Sequence, residues 1–96
     1  NVPIYLDSPM AIDATNLLHA HRADHRLPVE VCTAVCAVAT YTRDVEGSKA
    51  ITASPYPKVV ISASGMATGG RVLHHLKAFA PDSKNTILFS GFQSAG

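Results

Sequence analysis

Residues 59–76 read VVISASGMATGGRVLHHL and contain the clearest fold pattern of the chain. It begins with Val59–Ile61, a β-branched run of the kind found in strands that are buried on both faces. Small residues and glycines occupy residues 62–70, which we call the glycine loop, and beyond Arg71 apolar residues recur at the spacing of one helix face. The stretch predicts a strand, a loop and a helix, an arrangement that presents backbone amides and a helix N-terminus to an anion.

Similar strand and helix patterns flank this stretch on both sides. Ile4–Leu6 predicts a short buried strand, and Ser8 and Pro9 are a favourable N-cap and first residue for the helix that follows it. A second helix is predicted to begin near Pro28, and its broad apolar surface indicates that it is largely buried. Residues 86–90, TILFS, predict a further buried strand.

The alternation of these elements predicts an α/β fold in three layers, with a mostly parallel sheet of about three to four strands and helices on both faces. Residues 41–45 are either a short additional strand or the frayed end of a helix. In a parallel sheet the carboxyl ends of the strands lie along one edge, where open α/β sheets bind ligands. We expect Asp7, Ser8, the glycine loop and residues 91–93 to meet at that edge.

The composition fits one small α/β domain, because 47% of the 96 residues are hydrophobic and 16% are charged. The formal net charge of +1 excludes the broad basic surface with which many domains attract nucleic acid. Any recognition of phosphate must therefore be local. No apolar run approaches the roughly 20 residues that a membrane span needs, so we expect no membrane contact.

The histidines of residues 19–25, HAHRADH, nearly spell the zinc motif H-x-H-x-D-H, but one extra residue precedes the Asp-His pair. The preceding pattern is helical, which turns His19 and His21 roughly 200° apart around the helix axis. We therefore expect no metal site here. Cys32 and Cys36 lack the C-x-x-C spacing of structural zinc sites, and we expect buried or half-buried thiols in a reducing cytoplasm.

The glycine loop matches neither the G-x-G-x-x-G fingerprint nor the P-loop. Considered alone, close packing of the loop on a strand explains its glycines as well as phosphate binding does. Asp7 and Ser8 are similarly open to two interpretations, as a polar rim of a cleft or as a capping residue with an acidic neighbour.

Four segments of the chain, IYLDSPMA (4–11), SKA (48–50), ISASGMATGGRVLHHL (61–76) and NTILFSGFQ (85–93), occur in this order in one known family. Through them the chain resembles the β-CASP domain of metallo-β-lactamase-fold nucleases, in particular the bacterial relatives of the endonuclease that processes mRNA 3′ ends. The resemblance extends over nearly the whole chain. It implies that residues 1–96 are a single partial β-CASP domain from a longer protein.

In that family the β-CASP domain covers a dinuclear zinc site of a metallo-β-lactamase domain, and RNA lies in the cleft between the two domains. The resemblance implies that the parent protein is a cytoplasmic zinc-dependent ribonuclease whose metals activate water. The zinc-ligand motifs are absent from this sequence, so we expect no catalytic residue, metal ligand or cofactor in this chain. The expected partners are RNA and the metallo-β-lactamase domain. The chain is also expected to self-associate, because a missing βα unit would leave a sheet edge uncovered.

On this interpretation the loop supplies backbone and hydroxyl donors to RNA phosphate, and Arg71 is the nearest fixed cation. An ordinary arginine paired with an acidic neighbour is the alternative for Arg71. Two other functions remain open: a small nucleotide- or metabolite-binding module that uses the same loop, and a scaffold fragment whose loop serves only packing. The expected substrate-binding residues are Asp7, Ser8, Ser64, Gly65, Thr68, Gly69, Gly70 and Arg71.

Overall fold

Strands and helices alternate through residues 2–95, the part of the chain that this computed structural model describes. The ends of the predicted domain, residues 1 and 96, lie outside the described residues. In chain order the elements are β1 (Ile4–Leu6), α1 (Pro9–Ala20), α2 (Val29–Cys36), β2 (Thr40–Tyr41), α3 (Val45–Ala53), β3 (Val59–Ile61) and α4 (Val72–Phe79). For residues 41–45 the sequence left open a short strand or a frayed helix end. The structure agrees better with the short strand, because β2 includes Tyr41, where it ends.

The sheet has the strand order β2-β1-β3, and both pairings are parallel. Tyr5 lies opposite Thr40 on one side and opposite Val60 on the other, so β1 is the central strand. The first crossover runs from β1 to β2, and the second runs back across the sheet from β2 past β1 to β3. Right-handed connections therefore place α1 and α2 on one face and α3 on the other. Contacts join α1 to α2 and α3 to α4. The predicted three-layer α/β architecture is confirmed.

Side-chain caps fix the starts of two helices. Ser8 is extended, and its Oγ accepts a hydrogen bond from the amide of Ala11 at 3.3 Å, as the sequence predicts for an N-cap followed by proline. Asp44 caps α3 in the same way, accepting from the amide of Gly47 at 2.8 Å. A Cβ at Gly47 would lie 2.7 Å from Asp44 Oδ1, so the cap requires glycine there.

The buried core is smaller than the sequence indicates. Its hydrophobic members are Leu6, Ile12, Cys32 and Ile51. The prediction that Val59–Ile61 is buried on both faces is wrong, because Val59 and Ile61 are 46% and 49% exposed. The strand pairs on one side only within the described residues, and its alternate side chains share a face that no helix fully covers.

The prediction that α2 is largely buried is also wrong. Its face toward α1 contains Cys32, which is fully buried, whereas Val31 and Val35 are about half exposed. A helix that packs against one neighbour buries one side of its surface. The broad apolar surface of the sequence therefore exceeds what α1 can cover.

Residues 86–90 do not form the predicted strand. The segment carries no ladder hydrogen bonds, and Leu88 and Phe89 are 84% and 53% exposed. It begins where the side chain of Asn85 donates to Phe79 O at 2.9 Å, and it ends where Gln93 reaches the glycine loop. A strand is stabilised by its pairing as well as its pattern, and this segment has no strand partner within the described residues.

Within the described residues, no helix combines the length and the apolar character that crossing a bilayer would require.

Candidate functional site

The carboxyl ends of the three strands meet at one edge of the sheet, as the sequence predicts. The amide of Asp7, after β1, donates to Ile61 O at 2.9 Å, and the amide of Thr42, after β2, donates to Leu6 O at 3.0 Å. The hydroxyl of Ser62 donates to Asp7 O at 2.9 Å. Asp7, Ser8 and the glycine loop are thus neighbours, although the expected ligand contacts themselves stay predictions.

A buried carboxylate organises this edge. Asp7 is fully buried, and its Oδ2 accepts from Ser48 Oγ at 2.5 Å and lies 2.6 Å from His75 Nε2. Its Oδ1 accepts from Arg71 Nη1 at 2.5 Å. Ser48 lies on α3 and His75 on α4. The four side chains, which we call the Asp7 cluster, therefore join the central strand to both helices of one face.

The cluster favours the ionised carboxylate. Burial by itself raises the pKa of the Asp7 carboxyl, but hydrogen bonds from Ser48, Arg71 and His75 and the charge of Arg71 outweigh burial. The pKa of Asp7 consequently lies below its ordinary value of 3.8. A carboxylate that accepts three charge-assisted or hydroxyl hydrogen bonds is a strong tertiary contact.

Arg71 is committed to this cluster. Beyond its bond to Asp7, its Nη1 donates to Thr42 O at 3.0 Å and its Nη2 donates to Arg43 O, so the guanidinium joins the ends of β1 and β2. The side chain is 18% exposed. The geometry agrees with the alternative in which Arg71 pairs with an acidic neighbour, and a direct contact with RNA phosphate stays a prediction.

The three glycines of the loop differ in what the fold requires of them. Gly70 has a φ of +82°, and a Cβ there would lie 2.8 Å from Ala63 O, so packing explains this glycine. A Cβ at Gly65 or Gly69 would meet nothing within 4 Å. The interpretation of the loop as a packing device therefore accounts for one glycine of the three.

The loop also leaves donors free. The amide of Ser64 donates to Gly69 O at 3.2 Å, and the amide of Ala67 donates to Ser64 O at 3.1 Å. By contrast, within residues 2–95 no acceptor is bonded to most of the other loop amides, including those of Gly65, Met66, Thr68, Gly69 and Gly70. Backbone amides without acceptors are available to bind an anion.

The N-terminus of α4 does not contribute in the way the sequence suggests. Its first amides are taken by the loop, with Val72 donating to Ala63 O at 3.2 Å and Leu73 donating to Gly70 O at 3.3 Å. The expectation that a free helix N-terminus faces the ligand is therefore wrong. The tight turn at Gly70 brings loop carbonyls over the helix end, and the free donors lie in the loop itself.

Two cavities lie beside this edge, and Arg71 lines both of them. The larger, of about 410 Å³, lies between the start of α1 and the glycine loop and is lined by Ser8, Pro9, Met10, Ala63, Ser64 and Gly70. The smaller, of about 220 Å³, lies between α3 and α4 and is lined by Val45, Ser48, Lys49, Thr52 and His74.

Sequence reasoning missed the roles of Ser48 and His75. Ser48 stands in the SKA segment, which carried the family resemblance but no assigned role. His75 lies one helical turn before Phe79, and the two rings are stacked with centroids 6.1 Å apart. That i, i+4 spacing with an apolar residue was the available sign that His75 faces inward.

The histidine-rich stretch and the cysteines lie away from this edge. His21 Nδ1 is 3.4 Å from Asp24 Oδ2 in an exposed pair, and His25 Nε2 is 3.3 Å from Cys32 Sγ. Cys32 is buried and Cys36 half-buried, as predicted, and burial raises the pKa of the Cys32 thiol. Among the described residues, no three histidine, cysteine or acidic side chains are grouped so as to hold a metal ion.

Comparison with known proteins places this geometry in a family. Ribonuclease TTHA0252 of Thermus thermophilus is 39% identical over 105 residues, which cover 98% of this chain and 23% of that protein. Transcription termination factor FttA of Methanocaldococcus jannaschii is 31% identical over 110 residues, covering 100% of this chain and 16% of that protein. The Probable RNase MJ4 of the same organism is 32% identical over 96 residues, covering 97% and 22%.

The chain spans less than a quarter of the length of these relatives. The family model described as the Beta-Casp domain matches residues 1–96, so the match includes the glycine loop, the Asp7 cluster and the segment after α4. The resemblance seen in the sequence is thereby confirmed, and the chain belongs to the β-CASP family.

Proposed function

We propose that this chain forms one wall of an RNA-binding cleft in a zinc-dependent ribonuclease. The observation that carries the proposal is the glycine loop, in which most amides are free within the described residues and two glycines have no packing role. Two of the relatives named above are called ribonucleases, which supports RNA as the ligand.

The loop would bind the RNA backbone. Phosphate oxygens accept hydrogen bonds from backbone amides, and contacts of this kind fix the position of a strand without reading its sequence. Gly65 and Gly69 would let the phosphate approach the main chain closely, since neither carries a side chain and the space above each is open. Ser64 and Thr68 would add hydroxyl donors.

The chemical step would belong to another part of the parent protein. No cluster within the described residues could hold zinc, so we place the two metals in a metallo-β-lactamase domain and derive no step through them. This chain would contribute binding and orientation of the strand. A cytoplasmic location of the parent is part of the same proposal.

Substitutions at the two open glycines test the proposal. The binding of a labelled single-stranded RNA to the chain is measured by fluorescence anisotropy for the wild type, Gly65→Val and Gly69→Val. The matched control is Ala34→Val, because Ala34 is an exposed residue of α2 that lies away from the sheet edge. We expect each loop variant to lose about tenfold or more in affinity, the size of one lost hydrogen bond to a charged group.

The control should bind RNA as the wild type does, and circular dichroism should show that all three variants fold. Equal affinity of the loop variants and the control would overturn the proposal. Tighter binding of a free mononucleotide than of RNA would instead favour the nucleotide-binding module.

We also propose that the chain self-associates. Leu88 and Phe92 are 84% and 85% exposed, and β3 has a free edge within the described residues. Sedimentation equilibrium should give a mass above that of one chain at high protein concentration, and Leu88→Ser should lower it. A monomer at every concentration would contradict this expectation.

A further inference from the structure

The segment after α4 returns to the glycine loop and contacts it twice. The side-chain amide of Gln93 donates from Nε2 to Gly65 O at 2.7 Å. The same nitrogen donates to Gly91 O at 3.4 Å, so a rotated amide group would place Oε1 against two carbonyl oxygens. The backbone amide and the hydroxyl of Ser94 lie 3.4 Å and 3.3 Å from Met66 Sδ. Two consecutive residues of this segment therefore hold two consecutive residues of the loop.

The hydrogen bond from Gln93 determines which way one peptide group of the loop faces. The peptide between Gly65 and Met66 is trans, so its carbonyl oxygen and its amide hydrogen point in opposite directions. Because Gly65 O is bonded to Gln93, the amide of Met66 points away from Gln93. That amide has no acceptor within residues 2–95. The loop thus presents a free donor on the side opposite to Gln93.

This peptide group lies at the centre of a tight turn. The amide of Ala67 donates to Ser64 O at 3.1 Å and closes a four-residue turn over residues 64–67. Type I and type II turns share this closing bond and differ in the orientation of their central peptide, here the one between Gly65 and Met66. Gly65 restricts its own backbone little, and a Cβ there would meet nothing within 4 Å. The bond from Gln93 therefore stabilises one orientation of the central peptide.

We propose that Gln93 is a positioning residue for RNA, which holds the Gly65–Met66 peptide so that the Met66 amide donates to a phosphate oxygen of the strand. This inference rests on the proposed function and deepens it, because it assigns one donor of the loop and the residue that orients it. A donor that is oriented before the ligand arrives loses less conformational freedom on binding. Gln93 itself does not contact the phosphate, since its Nε2 donates to two carbonyl oxygens of the chain.

Two matched substitutions test the role of this hydrogen bond. Gln93→Leu removes the side-chain amide that binds Gly65 O. The control is Asn85→Leu, because Asn85 Nδ2 donates to Phe79 O at 2.9 Å at the start of the same segment, and the same apolar residue replaces its amide. We expect Gln93→Leu to weaken RNA binding about fivefold, the size of one ordinary hydrogen bond, and Asn85→Leu to bind RNA as the wild type does.

A nuclear magnetic resonance measurement follows the oriented donor directly. The chain has two methionines, so selective ¹⁵N labelling of methionine gives two amide signals, and the signal that disappears in Met66→Leu belongs to Met66. In the wild type the Met66 signal should shift when single-stranded RNA is added. In Gln93→Leu the shift at saturating RNA should be smaller, whereas in Asn85→Leu it should equal that of the wild type.

Weaker RNA binding of Gln93→Leu together with a smaller shift of the Met66 signal supports the positioning role. The inference is overturned, while the proposed function stands, if the glycine variants weaken RNA binding but Gln93→Leu binds RNA as tightly as Asn85→Leu or more tightly. A wild-type Met66 signal that does not respond to bound RNA would overturn it as well, without reference to any variant. If the wild type does not bind RNA, both the inference and the proposed function are overturned.

Discussion

The Asp7 cluster and the glycine loop are polar regions at the same sheet edge, but they differ in how many of their hydrogen-bonding groups have partners within the fold. Both carboxylate oxygens of Asp7 are bonded, and its partners come from α3 and from the start and first turn of α4. The loop leaves most of its amides without acceptors within the described residues. Paired polar groups stabilise a fold, whereas free backbone donors are available to a ligand.

The contrast indicates a structural role for the Asp7 cluster and supports the binding role that we propose for the glycine loop. Arg71 belongs to the structural side, although its charge and its place after the loop first suggested a phosphate contact. Substitutions in the cluster should therefore change stability first. Those at Gly65 and Gly69 should change ligand affinity first.

The largest expected effect is that of Asp7→Asn. The substitution removes the charge that Arg71 and His75 face in a buried site, and breaking such a pair typically costs about 3–5 kcal/mol of unfolding free energy. Urea denaturation followed by circular dichroism measures the loss. Asp13→Asn is the matched control, because Asp13 pairs with Arg43 at 2.8 Å but both side chains are more than half exposed. It should lose less than about 1 kcal/mol. Equal losses would contradict the structural assignment of the cluster.

Acid should produce the next largest effect. Since the pKa of Asp7 is lower in the folded chain than in the unfolded one, its stabilising contribution is complete above the ordinary value of 3.8. The contribution is lost as the pH falls below 3.8 and through the folded-state pKa. The urea midpoint, measured from neutral pH downward, should fall in that window.

The same acid profile measured on Asp13→Asn should keep its shape, because an exposed carboxylate contributes little. If the urea midpoint of Asp13→Asn depended less on pH than that of the wild type, the loss of stability in acid would have to be assigned to Asp13 and not to Asp7.

Gly70→Ala should have a smaller effect on stability. Its φ of +82° is unfavourable for alanine, and the new Cβ would lie 2.8 Å from Ala63 O, so the loop must shift. We expect a loss of about 1–3 kcal/mol, the usual range for a strained backbone position. Thermal and urea unfolding both measure it. An unchanged unfolding free energy would mean that the turn can relax to accept a side chain. Gly70 would then resemble Gly65 and Gly69, at which a Cβ meets nothing within 4 Å.

The elements that the sequence predicted correctly depend on local patterns. The cap at Ser8, the apolar run of Val59–Ile61 and the meeting of strand ends at one edge follow from residue type and spacing alone. The bond between Asp7 and His75 joins residues 68 positions apart, and no local pattern specifies such a partner. Residues 86–90 show the converse, since a strand-like pattern formed no strand without a pairing partner.

The candidate site divides in the same way. The sequence located the glycine loop, Asp7 and Ser8 at one edge, because their positions follow from the order of strands. It could not separate Gly70 from Gly65 and Gly69, since the difference lies in backbone conformation and in the distance to Ala63 O. The sequence also could not predict that Arg71 bonds to Asp7. An arginine at this position fits an ion pair with a carboxylate and a contact with phosphate equally well.

The smallest expected change in stability is that of Gly69→Ala, and it tests the comparison most directly. A Cβ at Gly69 meets nothing within 4 Å, so alanine should fit and should stabilise the chain by about 0.4–1 kcal/mol through the lower entropy of the unfolded state. The added methyl group would nevertheless stand beside a free amide and hinder a phosphate. RNA affinity should fall, by less than for valine, while urea unfolding shows equal or greater stability. Because Gly70→Ala loses stability and Gly69→Ala does not, the pair distinguishes packing from binding at adjacent residues. If Gly69→Ala lost stability and kept its RNA affinity, the binding role would be contradicted, and packing would explain Gly69 as it explains Gly70.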